Sequence, residues 1–585
     1  MVIKNGIEVG NIDFLLDKWK IRDVYEENYD FVPPLCLFKN LAELLELLHK
    51  HIVNNSRIIF HTDVDVDGIG TTFIIKRALE NFGSNQHIAM INKEKVHGIQ
   101  KKHADYINQT KCADLVIITD SSSNNVDIIK QFECDVICID HHEIDHNDTI
   151  GNCLDGIHKY VIVNNTVSNT GESYAGAVQW LKSKSNKDVN ALMIPNEYTA
   201  DRAMSCGVVV YELLRVYGYA YGCILSLEQS KLVQWAGITL YTDVIDTLNS
   251  RNQWYLNQTL MNPNVEYTLK IMLNALTSYR GIAYKSMLDK NYIQYKFAPV
   301  INKAIRAGHG NEILNIILNE PSRIAEMQKY GELQTDAVNK AIYTYTVDPE
   351  SGLKVQTDRV CNSRGIVELD TTNLGIHPNY FGVIAGKLCD SNKHCAIVYA
   401  EADGVDRSGN TVKILKGSFR GGIKSLDYRS VFLDYKDGDF EVQAKGHKQA
   451  FGFEATPVQT YEIMKKLTEM ENGTVDTKPF LTIGDMAESE MGTYHIDNFD
   501  EFKKAAGLVS LATGNSRVIT NDEILLRVRL IDVELESVRE TSNCSVYNYK
   551  FGTLSCISFS EIKSIYADIY VEMNNRLDAY IKEAQ

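Results

Sequence analysis

The segment HTDVDVDG, residues 61–68, sets His61, Asp63, Asp65 and Asp67 at alternate positions directly after the apolar run RIIF (57–60). In extended backbone the three aspartates point the same way, because successive side chains alternate between faces. Carboxylates crowded on one face repel one another unless the chain bends or cations neutralise them. Gly68 and Gly70 suit a turn into a helix. The octet mimics the start of a calcium-binding loop, but the acid needed at the twelfth position would be Ile74, which sets that reading aside. Taken alone, the octet fits a divalent-metal site and an exposed acidic turn equally well.

Further acids and histidines stand at other apolar run ends. ICIDHHEIDH (137–146) carries Asp140, His141 and His142, VIITDSSSNN (116–125) carries Asp120, and GITLYTDVIDT (237–247) carries Asp243, with Asp246 competing for the same role. A histidine pair by itself is more often packing or surface than ligand; beside a strand-end carboxylate and a separate acidic octet, ligation is favoured. Histidine nitrogens mixed with many carboxylate oxygens suit Mn²⁺ or Mg²⁺ pairs better than structural zinc, which prefers thiolates. Two such cations about 4 Å apart form a device for in-line attack at phosphorus.

The elements that would position these residues are short and alternate in type. RIIF (57–60), HIAMIN (87–92), DLVIITD (114–120), DVICID (135–140) and YVIVNN (160–165) read as strands. GIGTTFIIKRALENFG (68–83) and NNVDIIKQF (124–132) read as helices between them. Such alternation predicts an α/β fold with a parallel sheet, whose ligands bind beyond the carboxyl ends of the strands. Asp63, Asp65, Asp67, Asp120 and Asp140 all fall at those ends. Residues from about 200 to 345 read mainly helical, and a second α/β pattern fills about 350–470. The tail has a strand-like run, ILLRVRLIDVELESV (524–538), and is expected to close on a helix over 560–583.

The predicted organisation is an N-terminal arm (1–50), a parallel-sheet domain (51–260), a helical connector (261–345), a smaller α/β subdomain (346–472) and a C-terminal α+β module (473–585). With 585 residues, each part can bury a core of its own. A formal net charge of −16 argues against coating nucleic acid by bulk charge, though not against a locally basic or metal-lined cleft. No apolar run approaches the ~20 residues of a membrane span, and no signal-peptide core is visible, so the cytoplasm is the expected compartment. The 12 cysteines are scattered without zinc-knuckle spacing and read as reduced, mostly buried thiols.

HTDVDVDG, VIITDSSSNNVDIIKQF, DHH and TDVID, in that order and at those spacings, resemble the DHH phosphoesterase superfamily, and within it the RecJ-like single-strand-specific exonucleases. Segments outside the metal motifs extend the resemblance: INKEKVHGI (91–99), FAPVINKAIRAGHGNEILNIILNEPSRIAEM (297–327), FGVIAGKLCDSNKHCAIV (381–398), KGSFR (416–420) and KGHKQAFGF (445–453). The last three are similar to the DHH-associated C-terminal subdomain, and the whole covers about residues 56–455. The resemblance implies that His61, Asp65 and Asp120 bind one cation, while Asp67, Asp120, His141 and Asp243 bind the other. It implies that His142 touches the scissile phosphate or helps the leaving group, and that Asp140 orients the histidines. Asn302, Arg306, Arg420 and the Gly446–His447 loop would hold phosphate oxygens. It further implies two Mn²⁺ ions, with Mg²⁺ possible, and a single strand (DNA favoured over RNA) degraded 5′-to-3′ to mononucleotides by an activated hydroxide. A place in DNA repair and recombination would follow.

The sequence departs from the pattern at Ile305, where the family has a glycine before Arg306, at Lys445 before Gly446, and at Phe451, where the residue is usually small. Ser121 to Ser123 after Asp120 are unusual, and nothing in the sequence accounts for them. The role of Asp63 stays open between a supporting group and a turn former. Two other readings remain: a nanoRNase or cyclic-dinucleotide phosphodiesterase of the same superfamily, and a binding scaffold that has lost catalysis. The filled metal-motif positions argue against the scaffold. For the tail no oligonucleotide-binding barrel pattern is recognisable, and Arg527 and Arg529 fit a half-buried strand equally well.

Overall fold

The structure is a computed structural model that describes residues 32–473 apart from 93–96, 145–150, 194–199, 202, 244, 246–249, 261, 278–287, 289–291, 348–353, 359–360, 364–365, 393–394 and 423–425, together with strands near the N-terminus and between 480 and 584. The chain divides into two compact units: residues 1–305, 309–326 and 478–585 form one, and residues 306–308 and 327–477 form the other.

The first unit is built on a six-stranded sheet. Its strands are β1 (Ile58–Thr62), β2 (His87–Ile91), β3 (Leu115–Thr119), β4 (Asp135–Asp140), β5 (Asn152–Cys153) and β6 (Tyr160–Asn164), in the order β2-β1-β3-β4-β6-β5. All pairings are parallel except β5 with β6. β1, β3 and β4 are buried along their whole length, which is why they read as continuous apolar runs rather than alternating ones. On one face Ile59, Val116, Ile118, Val136 and Cys138 pack with Ala104 and Ile107 of α2 (Lys101–Thr110), a helix beyond those expected from the sequence. α1 (Val66–Asn81) follows β1, and its Phe73 stacks on Trp235 of α4 (Val233–Thr242) with ring centroids 4.3 Å apart. α3 (Cys206–Tyr221), almost wholly buried, and α5 (Ser250–Thr259) complete the helices needed below. The helix expected over 124–132 is a single turn, Val126–Ile129.

The second unit carries its own six-stranded sheet. Its strands β7 (Ile366–Asp370), β8 (Ala396–Val405), β9 (Thr411–Arg420), β10 (Gln443–His447) and β11 (Ala450–Ala455) run in the order β7-β8-β9-β11-β10, with Cys361–Ser363 at the β7 edge. Phe451 is 2% exposed and stacks on Phe419 at 4.9 Å, so the bulky residue at this position is a core residue of the subdomain.

At the C-terminus an eight-stranded sheet includes Leu525–Glu540, as the sequence suggested. The closing helix expected over 560–583 is corrected: Tyr566–Met573 and Ala579–Ala584 are antiparallel strands of that sheet. YADIYVEM is rich in aromatic and β-branched residues, and a ladder partner on each side outweighs weak helical periodicity. The N-terminal aromatics Trp19, Tyr25, Tyr29 and Phe31 lie outside the described residues. Among the described residues, no helix is long and apolar enough to cross a membrane, and Cys36, Cys134, Cys138, Cys206, Cys389 and Cys395 are buried and form no disulfide.

Candidate metal centre

The turn after β1 bends the chain so that the acids of HTDVDVDG take different hydrogen-bond partners. Asp65 is the N-cap of α1 and accepts a hydrogen bond of 2.9 Å from the Gly68 N–H. Gly68 is required here, since a Cβ would come within 2.7 Å of the Asp63 carbonyl and the Thr62 hydroxyl. Asp67, the second residue of α1, accepts the Cys206 N–H at 2.8 Å, the Gly207 N–H at 3.0 Å and the Thr71 hydroxyl at 3.1 Å. The first two are otherwise unsatisfied donors at the start of α3, so Asp67 anchors that helix. Burial, with Asp65 beside it, pushes the Asp67 carboxyl up to about 7.

Asp120 leaves β3 with a φ of 62°, in the left-handed region that aspartate tolerates better than most residues. The bend turns its carboxylate into the cluster. Neither oxygen makes a hydrogen bond among the described residues, and burial followed by Asp67, Asp65, Asp63 and Asp243 raises its pKa well above the usual carboxylate range. Asp243 caps the end of α4, and burial, then Asp67 and Asp65, raise it likewise. Asp246 lies outside the described residues.

His141 sits among these acids. Its Nδ1 lies 2.9 Å from the Met204 carbonyl, which can only accept, so Nδ1 donates and Nε2 is the nitrogen turned toward the acids. That Nε2 stands 3.1 Å from Asp120, 3.5 Å from Asp243 and 3.7 Å from Asp67. Three overlapping groups place their donor atoms within 4.8 Å of one another: Asp67, His141 and Asp243; Asp63, Asp65 and Asp120; and Asp120, His141 and His142. Each of these groups could hold a metal ion. Buried carboxylate oxygens without donors, at Asp120 and Asp243, are costly unless a cation joins them, so this set of carboxylates with an imidazole fits Mn²⁺ or Mg²⁺.

His61, fully buried on β1, lies outside these groups and packs against His103 at 4.9 Å; burial and that neighbour hold its pKa down near 3, leaving a neutral imidazole. Asp140 accepts the backbone N–H groups of His141, His142 and Ser123 and the Nδ1–H of His142. Despite burial, His142 and His141 hold it below the usual carboxylate range. Burial would lower His142, but Asp140 overrides it and carries the imidazolium up to about 10. His142 is 28% exposed and His141 only 4%, so His142 meets the solvent side of the cluster.

Some of the positioning residues carry no mark in the sequence. Asn164 donates to the Ser123 hydroxyl at 3.1 Å and to the His142 carbonyl at 2.9 Å, and Ser123 in turn supports Asp140. Ser121 to Ser123 are therefore a buried turn beneath the histidines, not a surface loop. His97 reaches Asp63 with an Nδ1–Oδ2 distance of 2.6 Å. Asn164, the last residue of β6, carries no signal beyond its strand-end location, and the INKEKVHGI segment does not reveal the partner of its His97, because both contacts join residues far apart in the chain.

Each candidate phosphate-binding residue has its own local setting. Asn302 lies half-buried on the helix Ala298–Arg306, whose last residue donates to Gln334 at 3.0 Å; in the second unit Arg420, at the end of β9, donates to the Ser418 hydroxyl at 3.0 Å and the Phe419 carbonyl at 2.6 Å. Gly446 has a φ of +134°, and His447 pairs with Ala450 across the β10–β11 hairpin. Ile305 is buried, and Lys445 is exposed on β10.

Residues 57–194, which carry most of this strand-end cluster, match the DHH family, N-terminal domain. The chain therefore carries a DHH-family domain. Among relatives, it is 23% identical over 438 residues to a Bacillus subtilis (strain 168) protein named for an SPbeta prophage-derived single-strand DNA-specific exonuclease, YorK. It is 22% identical over 437 residues to the single-stranded-DNA-specific exonuclease RecJ of Thermus thermophilus. The matches take in 71% and 73% of this chain but only 66% and 54% of those proteins, less than two thirds of either. Among solved structures, T. thermophilus RecJ in complex with Mn²⁺ superposes with a TM-score of 0.61 at 16% identity, covering 94% of this chain and 73% of that one. The same protein with Mg²⁺ gives 0.56 at 14% identity, covering 97% and 77%. The fold is RecJ-like.

Proposed function

We propose that the chain is a metal-dependent phosphodiester hydrolase, a RecJ-like exonuclease that degrades single-stranded DNA 5′-to-3′ to mononucleotides. The observation that carries this reading is the convergence of Asp67, His141 and Asp243 beside Asp63, Asp65 and Asp120, with Asp120 and His141 each shared between groups. When bound, two Mn²⁺ or Mg²⁺ ions supply Lewis acidity toward the phosphoryl oxygens and lower the pKa of an attacking water. Asp120, whose two oxygens make no hydrogen bond among the described residues, would serve both ions; Asp63, Asp65 and, as the family resemblance implies, His61 would hold one, and Asp67, His141 and Asp243 the other. His142, kept cationic by Asp140 and facing solvent, binds a non-bridging phosphate oxygen or delivers a proton to the leaving oxygen. Arg306 and Arg420 offer planar guanidinium forks, and Asn302, Gly446 and His447 further donors, for phosphates along the strand. The domain boundaries read from the sequence, a cytoplasmic site of action and a part in DNA repair belong to the same proposal.

The test is digestion of 5′- and 3′-end-labelled single strands with Mn²⁺, alongside RNA and the dinucleotide pApA. Mononucleotides released first from the 5′ label support the reading. No release from single-stranded DNA sinks it, and turnover of pApA alone would assign the chain to the dinucleotide hydrolases of the superfamily.

A further inference from the structure

His97 is a histidine beside the cluster that the metal motifs do not supply. It comes from the loop after β2, and its Nδ1 lies 2.6 Å from Oδ2 of Asp63. A carboxylate can only accept, so the imidazole N–H donates. Asp63 is 1% exposed, and its other oxygen, Oδ1, makes no hydrogen bond among the described residues. It is Asp63 that joins Asp65 and Asp120 with donor atoms within 4.8 Å.

The loop that delivers His97 is held at fixed points on both sides. Asn92 donates to the Gly98 carbonyl at 2.9 Å, and the Ile99 N–H donates to the Ser122 hydroxyl at 2.8 Å. Gly98 has a φ of +80°, and a Cβ there would come within 2.7 Å of the Asn125 amide oxygen and 3.1 Å of the Ser122 hydroxyl. The turn after β3 thus clamps the loop after β2, and the clamp places His97 over the turn after β1. An exposed ion pair would be worth little and would need no such staging. Here one partner is buried and belongs to a converging donor group.

We propose that His97 is a positioning residue for the metal centre. By fixing one oxygen of Asp63, it presents the other to the group formed with Asp65 and Asp120. This rests on the proposed function, and it gives roles to Asp63 and to Ser122, for which the sequence offers none. Outer partners that orient a ligand typically govern metal affinity by 10–100-fold.

The test is Mn²⁺ titration of the metal-free full chain by calorimetry, with the metal-free melting temperature measured in parallel. His97→Ala should weaken one class of Mn²⁺ site by about tenfold or more and leave the other unchanged. His97→Asn, which keeps an N–H donor, should recover part of the loss. In an Asp63→Asn background, His97→Ala should change nothing further, because the two act as one unit. Unaltered Mn²⁺ affinity in His97→Ala overturns the inference while leaving the proposed function standing, as does an equal loss in the Asp63→Asn background. A melting temperature that falls without any change in affinity assigns a structural role and overturns it too. A wild-type chain that binds no Mn²⁺ removes both.

Discussion

Helix α3 meets two buried charge clusters, one at its N-terminus and one midway along it, and the two are opposites. At its N-terminus Asp67 meets Asp120, Asp243 and His141; several carboxylate oxygens there lack hydrogen bonds among the described residues, and the His141 Nε2 faces them. Farther along, Glu212 is fully buried, yet it receives two bonds of 3.0 Å from Arg215, one of 2.9 Å from Arg251 and one of 2.6 Å from Tyr255. The same arginines also bind the Pro33 and Pro34 carbonyls at 2.9 Å, tying the segment before the DHH domain to α3 and α5. Glu212 is neutralised by the chain's own cations, whereas the Asp120 cluster has no such cation of its own among the described residues. Burial of charge alone does not separate scaffold from site; the balance of partners does.

That contrast can be broken by mutation. The largest effect is expected for Glu212→Ala, which leaves two buried guanidinium groups uncompensated and should cost about 3–5 kcal/mol, read as a lower denaturation midpoint. If the cost is negligible, Glu212 is not structural in the sense argued. Asp120→Asn should reverse the pattern: any turnover in the proposed hydrolysis falls on the order of 10²–10³-fold, while the metal-free melting temperature holds or rises because a repelled charge is removed. A variant that is both active and less stable would contradict this. Next, Mn²⁺ at about 100 times its dissociation constant should stabilise the wild type by about 2.7 kcal/mol, with no such gain in Asp120→Asn, measured by thermal shift.

A pH dependence sharpens the same contrast. Asp67 titrates near 7 in the metal-free fold against about 4 when unfolded, so its stabilisation is complete below pH 4 and is lost as pH rises through 7. Asp120 and Asp243, also raised, act in the same direction. The metal-free melting temperature should therefore decline from pH 5 to 8, and Mn²⁺ should flatten the decline. A metal-free chain that gains stability over this range would contradict the assigned shifts.

Much of the first unit is legible from residues alone. DVICID matches β4 residue for residue, and the other four predicted strands match within one or two residues at either end. Fully buried parallel strands leave an unbroken apolar signature, and that is the strongest local signal a sequence carries. The C-terminal strands Tyr566–Met573 and Ala579–Ala584 read locally as helix because their fate depends on ladder partners distant in the chain. The DHH motif likewise marks Asp140, His141 and His142 from their residue types and spacing, but not the work that Ser123 and Asn164 do beneath them.

The sequence by itself determined which residue types crowd the strand ends, because charge density and strand period are local properties. Only the tertiary structure decided how that crowding is divided. It committed Asp67 to the start of α3, turned Asp120 inward at a φ of 62°, and gave Asp63 a partner in His97. Each of those outcomes depends on loops and helix ends from separate parts of the chain meeting at the edge of one sheet, which no local pattern encodes.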